Sequence, residues 1–90
     1  MNKRLQNGFG QASNEVMRNP ELSFQAKALY AYLSTYADSE TNLTYVGLNR
    51  MCAELNVTRS TIKRNLSLLK QAGVVIRFKS DTKWYTKLLK

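Results

Sequence analysis

The chain contains no histidine, one cysteine, one proline and only six carboxylates. Without histidine, and with Cys52 alone, neither a zinc site nor a histidine-based catalytic apparatus can be assembled. The acids, Glu15, Glu21, Asp38, Glu40, Glu54 and Asp81, are scattered, and no two stand at a spacing that suggests an acid/base pair. An enzyme is therefore not expected, and neither a cofactor nor a metal is implied. Cys52 cannot form an internal disulfide, which suits a reducing compartment. No apolar run approaches the roughly 20 residues of a membrane span, and the first residues carry no signal-type apolar segment. The reading is a cytoplasmic chain with no membrane partner.

What is present is one small folded domain with a lopsided charge. Ninety residues suffice for a single core, and 43% hydrophobic with 10% aromatic content suits a folded chain. The net charge is +8. Residues 1–56 balance Lys3, Arg4, Arg18, Lys27 and Arg50 against five acids. Residues 57–90 set Arg59, Lys63, Arg64, Lys70, Arg77, Lys79, Lys83, Lys87 and Lys90 against Asp81 alone. Such asymmetry points to a polyanionic partner, with a merely solvated basic face as the bland alternative.

The chain holds no internal repeat. Residues 1–22 read as an N-terminal arm with an extended piece around Phe9–Ala12 and a turn of helix at Glu15–Met17, stopped by Asn19-Pro20. Residues 23–90 read as the domain proper. Ser23 is the expected cap of a first clear helix, "FQAKALYAYLSTYA", with Leu29, Leu33 and Tyr36 on its buried stripe beside Ala26 and Tyr32. Asp38–Asn42 ends it, and Leu43–Tyr45 suits a short sheet-edge strand. A second helix is expected over about 46–55, with Leu48, Met51, Cys52 and Leu55 on one stripe and Cys52 as a small core residue. Asn56-Val57-Thr58 makes a tight corner. Thr58 caps a third helix over 59–71, buried through Ile62, Leu66 and Leu69, with Gly73 just past its end. The period then changes from about 3.6 to 2. "VVIRFK" and "KWYTKLL", joined by Ser80-Asp81-Thr82, read as a β-hairpin over about 74–89.

This order is mainly α with a small β-hairpin wing (α+β), a winged helix-turn-helix. In that arrangement the helix after the corner projects its outer face toward the DNA major groove. The stretch "LNVTRSTIKRNL" fills that face with long cations and short hydrogen-bonding side chains. Arg59, Ser60, Lys63 and Arg64 are the expected base readers, and Thr61 serves base or phosphate. Thr58, as cap, adds backbone amides for a phosphate. Lys79 and Lys83 flank the hairpin tip and place the wing on the DNA backbone. Arg77 and Lys87 lie on the strands and are weaker candidates, and Lys70 is peripheral.

Other features have plainer readings. Tyr30, Tyr32 and Tyr36 suit core or a dimer face better than base stacking. Trp84 is expected in the core, because its alternation partners Thr86 and Leu88 face the same way. "GFG" at 8–10 is not a phosphate loop, since no Gly-Lys-Ser/Thr follows at the required distance.

Two segments carry a family resemblance: "GFGQASNEVMRNPELSFQAKALYAYLSTYA" and "LNRMCAELNVTRSTIKRNLSLLKQAGVV". Together they resemble the N-terminal winged-helix domain of replication initiators and replisome organisers from plasmids and phages of Gram-positive bacteria. The first segment is the more specific; the second is shared in outline by many winged-helix repressors. The resemblance implies recognition of an origin or iterated site in double-stranded DNA, usually as a homodimer on repeated sites, with replication or transfer proteins as further partners. Where the usual pattern before the second helix is Pro-Ser, this chain has Thr44-Tyr45, so the start of that helix is expected to differ. Relatives of that kind generally carry a further domain, so the chain is either one domain of a longer protein or a small stand-alone factor.

The function read from the sequence is thus sequence-specific double-stranded DNA binding in plasmid or phage replication or maintenance. The alternatives of the same fold are a small plasmid-transfer accessory protein, a transcriptional repressor, and a protein-interaction module docking through the aromatic first helix. A single-strand binder stacking bases on Trp84 and Tyr85 is a further alternative.

Overall fold

The computed structural model describes residues 12–90. Of the expected extended piece at Phe9–Ala12, residues 9–11 lie outside them, as does the 8–10 "GFG". Helix α1 is the short turn Asn14–Met17, capped by Ser13, whose hydroxyl accepts the Val16 N–H at 3.4 Å. Pro20 follows in a β-turn in which Leu22 N–H donates to Asn19 C=O at 3.2 Å. Its fixed φ suits the second turn position, and Asn19 suits the first. Val16 and Leu22, from the segment before Ser23, pack into the same core as the helices that follow.

Helix α2, Phe24–Ser34, begins at Ser23 as expected, the Ser23 hydroxyl accepting the Ala26 N–H at 3.1 Å. Its buried face is Ala26, Leu29, Tyr30 and Leu33, the i, i+3, i+4, i+7 set. The helix stops three residues short of the expected Ala37. Thr35 and Tyr36 bond to Tyr32 and Leu33 carbonyls in tightened, three-residue turns. Tyr36 thereby leaves the buried stripe predicted for it and is 39% exposed, edge-on to Tyr32. Both phenols donate to Glu54 Oε1, at 2.5 Å from Tyr32 and 2.6 Å from Tyr36.

Asp38 then closes a turn by accepting the Glu40 and Thr41 N–H groups, at 2.7 and 3.1 Å. Strand β1, Leu43–Thr44, follows, and helix α3 is Leu48–Leu55. This helix starts two residues later than the sequence suggests, because Gly47 takes the cap position with no side chain to close it. Met51 is fully buried, and Leu48, Cys52 and Leu55 pack against the core from its rim. Asn56 then turns the chain with φ 57°, and Val57 N–H donates back to Cys52 C=O at 3.2 Å. Asn is among the few side chains that tolerate this left-handed geometry.

Helix α4 is Arg59–Gln71, with Thr58 as cap and Ile62, Asn65, Leu66 and Leu69 buried. It ends at Gly73, φ 76°, with Gly73 and Val74 N–H groups donating to Lys70 and Leu69 carbonyls. Those paired bonds form the helix-ending motif that glycine permits. Strands β2, Val75–Ser80, and β3, Lys83–Leu88, form a hairpin whose two-residue loop has Asp81 at φ 56°. The antiparallel sheet has the order β1-β3-β2, which makes β1 an edge strand.

Strand register decides which side chains face the helices. Val75, Arg77 and Lys79 oppose Leu88, Thr86 and Trp84, so these six share one face. At the end nearest the core, Val75, Leu88 and Thr86 are buried. Toward the loop the same face emerges into solvent, and Trp84 is 52% exposed. Trp84 therefore does face the same way as Thr86 and Leu88, but it lies past the helical layer and outside the core. The other face carries Ile76, Phe78 and Tyr85, with the Phe78 and Tyr85 rings stacked at 5.6 Å.

Candidate nucleic-acid interface

Two helices joined by a corner set by Asn56 hold α4 across the molecule with its apolar side down. The buried positions repeat every three or four residues, so Ser60, Lys63, Arg64 and Ser67 are turned out to solvent. At the helix start, Thr58 Oγ1 accepts the Thr61 N–H at 3.3 Å and lies 3.2 and 3.1 Å from the Ser60 and Thr61 hydroxyls. The result is a small hydroxyl cluster at the positive end of the helix dipole.

Beside it lies an open cleft of about 640 Å³ between α3, α4 and the hairpin. Its walls bring together Arg59 and Lys63 from α4 with Arg77, Lys83 and Trp84 from the hairpin. Arg59 and Lys63 are four apart and so stack along one helix face. Arg59 Nη1 donates to Asn49 Oδ1 at 2.8 Å, which fixes its guanidinium near the start of α3. Arg77 is anchored twice. Its Nε donates to Thr86 Oγ1 at 3.1 Å, and its guanidinium carbon sits 5.5 Å from the centre of the Trp84 ring. Partial burial pulls the Arg77 pKa down from its ordinary value, although a guanidinium stays charged at any working pH. Lys83 Nζ lies 4.9 Å over the ring of Tyr45, which also lines the cleft, a cation–π contact.

Nothing negative answers these cations. Among the described residues no carboxylate lines the cleft. Among the described residues the one ion pair is Lys90 Nζ to Glu15 Oε1 at 3.2 Å, remote in sequence from α4 and the hairpin loop. Closely placed, unneutralised cations repel each other, so their gathering is a cost to the fold that a bound polyanion removes.

The nine residues singled out from sequence thus separate into two groups. Arg59, Lys63, Arg77 and Lys83 converge on the cleft. Thr58, Ser60, Thr61, Arg64 and Lys79 do not line it: the first four occupy the start and outer face of α4, and Lys79 is exposed on β2 opposite Trp84. Arg77, the weaker candidate by sequence, is among the best-anchored cations of the cleft. Asn49 and Tyr45 were missed, and sequence reasoning considers Trp84 only as core or as a stacking surface for single strands, not as part of this cleft. The signal that finds Trp84 is cross-strand pairing: a two-residue loop sets it opposite Lys79, next to Arg77 on the same face.

A helix-corner-helix followed by a basic hairpin that completes a three-stranded sheet with β1 defines a winged helix-turn-helix, a DNA-binding class of fold. The model of the helix-turn-helix domain family matches residues 21–75, and the chain belongs to that family. No curated protein and no solved structure matches the chain significantly.

Proposed function

We propose that this domain recognises specific sequences in double-stranded DNA, with α4 in the major groove and the hairpin on the flanking backbone, in plasmid or phage replication or maintenance. The observation that carries the reading is the cleft itself: four cations from α4 and the hairpin converge with no carboxylate among them. Arg59, Ser60, Lys63 and Arg64 are assigned to bases, Thr61 to base or phosphate, and Thr58 to a phosphate through the helix amides. Arg77, Lys79 and Lys83 are assigned to the backbone. Binding as a homodimer to repeated sites, with replication or transfer proteins as partners, rests on the resemblance of the first sequence segment to replication initiators. A transfer accessory protein or a repressor would use the same surface.

The test is selection of bound duplexes from a random pool, followed by re-measurement with single variants. Wild type should enrich one short motif. Lys63→Ala and Arg64→Ala should relax preference at individual positions, whereas Lys83→Ala should weaken every duplex alike. Failure to enrich any motif would remove the sequence-specific part of the reading. Light scattering on a duplex bearing two copies of the motif then counts chains: two support the dimer on repeats, and one opposes it.

A further inference from the structure

Trp84 is a large apolar side chain with half its surface in solvent, on the same cleft as four cations. Its contact with the Arg77 guanidinium leaves the indole outside the core and open to water. The opposing walls differ in kind. The α4 wall presents Arg59 and Lys63, and the hairpin wall presents Arg77 with its guanidinium carbon 5.5 Å from the centre of the Trp84 ring. With its Nε committed to Thr86, the Arg77 guanidinium keeps its Nη edge for an oxygen acceptor. A groove with cations on both sides and one aromatic face complements a chain that alternates phosphate with an apolar sugar.

Resting on the reading of α4 as the DNA-facing helix, we infer that this cleft straddles one sugar–phosphate strand of a duplex and that Trp84 is a nucleic-acid contact. Arg59 and Lys63 reach that strand from the major-groove side. Arg77 and Lys83 reach it from the wing side, and the indole packs on deoxyribose with its N–H available to a phosphate oxygen. Trp84 thus supplies an apolar contact that releases no counterions, unlike its four charged neighbours.

The chain has a single tryptophan, so its fluorescence reports this position alone. The experiment is a titration of the protein with a duplex, read at once by anisotropy of a labelled strand and by tryptophan emission, repeated for Trp84→Ala and Trp84→Phe across several salt concentrations. The expected result is a change in Trp84 emission that saturates with the anisotropy. Trp84→Ala should weaken binding about five- to tenfold while leaving the slope of log affinity against log salt unchanged, and Trp84→Phe should recover much of the loss. Lys83→Ala in parallel should lower the slope by about one. Thermal melts of the variants establish that they fold, which half-exposure of the side chain predicts. Duplex binding with unmoved emission and an unaffected Trp84→Ala would overturn this inference while leaving the DNA-binding reading intact. A Trp84 emission change larger with an oligothymidine strand than with duplex would also overturn it, in favour of base stacking. No duplex binding by any variant would remove both.

Discussion

Residues 12–56 and residues 57–90 are built with the same devices, and they treat charge in opposite ways. In the first region two carboxylates are engaged locally. Glu54 accepts two tyrosine hydroxyls, and Asp38 accepts two backbone N–H groups. In the second region the cations of α4 and the hairpin form no ion pair among the described residues, and the neighbours of Arg77 and Lys83 are a hydroxyl and aromatic rings. The apolar faces of both regions meet in one core that includes Leu29, Leu33, Met51, Leu66 and Leu69. The difference shows that folding and charge placement are separate problems here. The helices are held by their buried sides, and the outward cations of the second region answer to something outside the chain.

That separation can be broken most forcefully from the buried side. Leu69→Ala removes a fully buried side chain where α4 meets the core and should cost about 2–5 kcal/mol in chemical denaturation. Lys63→Ala, six residues earlier on the outer face, should change stability by less than about 0.5 kcal/mol while weakening duplex binding. A large stability loss from Lys63→Ala would mean that the cleft cations serve the fold after all.

The comparison sharpens when cations are removed in pairs. Arg59→Ala with Lys63→Ala should lower the salt slope of duplex binding by about two, and Lys27→Ala with Arg50→Ala in the balanced region should leave it unchanged. Equal slopes for the two pairs would make the charge asymmetry irrelevant to binding.

A smaller effect tests the corner chemistry. Gly73 sits at φ 76°, and a Cβ there would meet no atom within 4 Å. The cost of Gly73→Ala is therefore conformational alone, about 1–2 kcal/mol by thermal or chemical unfolding. No measurable cost would show that the end of α4 shifts freely, and with it the attachment of the hairpin.

The smallest effect concerns pH. Hydrogen bonds from Tyr32 and then Tyr36 hold the Glu54 carboxyl below its ordinary 4.5, and the Glu40 and Thr41 amides hold Asp38 below 3.8. Burial, with Glu54 next, raises the Tyr32 phenol well above the usual range, so it remains a donor throughout. Because both carboxyl values are depressed on folding, their contribution is complete above those ordinary values and disappears as pH falls through the folded ones. Both groups are exposed, so the effect is slight. Melting temperatures measured from pH 6 to pH 3 should fall less steeply for the Glu54→Gln, Asp38→Asn double variant than for wild type, and parallel curves would contradict this assignment.

Much of the architecture was legible because it rests on local chemistry. Ser23 and Thr58 cap the helices expected of them, Gly73 ends α4, and the third helix spans the residues its periodicity marks. The errors have physical reasons, some local and some set by how far one element covers another. Tyr36 has the right spacing for the buried face, but the helix tightens and stops before reaching it. Gly47, with no side chain to signal a cap, hides the start of α3. Trp84 has the right alternation, but alternation gives a face and not how far the covering layer extends. The outward position of Ile76 and Phe78, 46% and 38% exposed, follows from the same register. For the interface, composition marks the basic elements, while convergence of Arg59, Lys63, Arg77 and Lys83 requires the hairpin to fold back beside α4.

The most direct measurement is the affinity of the wild-type chain for a duplex as a function of salt. Four cations on one strand, each displacing a counterion, predict a log–log slope of about −3 to −5. Absence of binding at low salt, or a slope near zero, would contradict the claim that the cations of α4 and the hairpin form a DNA-binding surface.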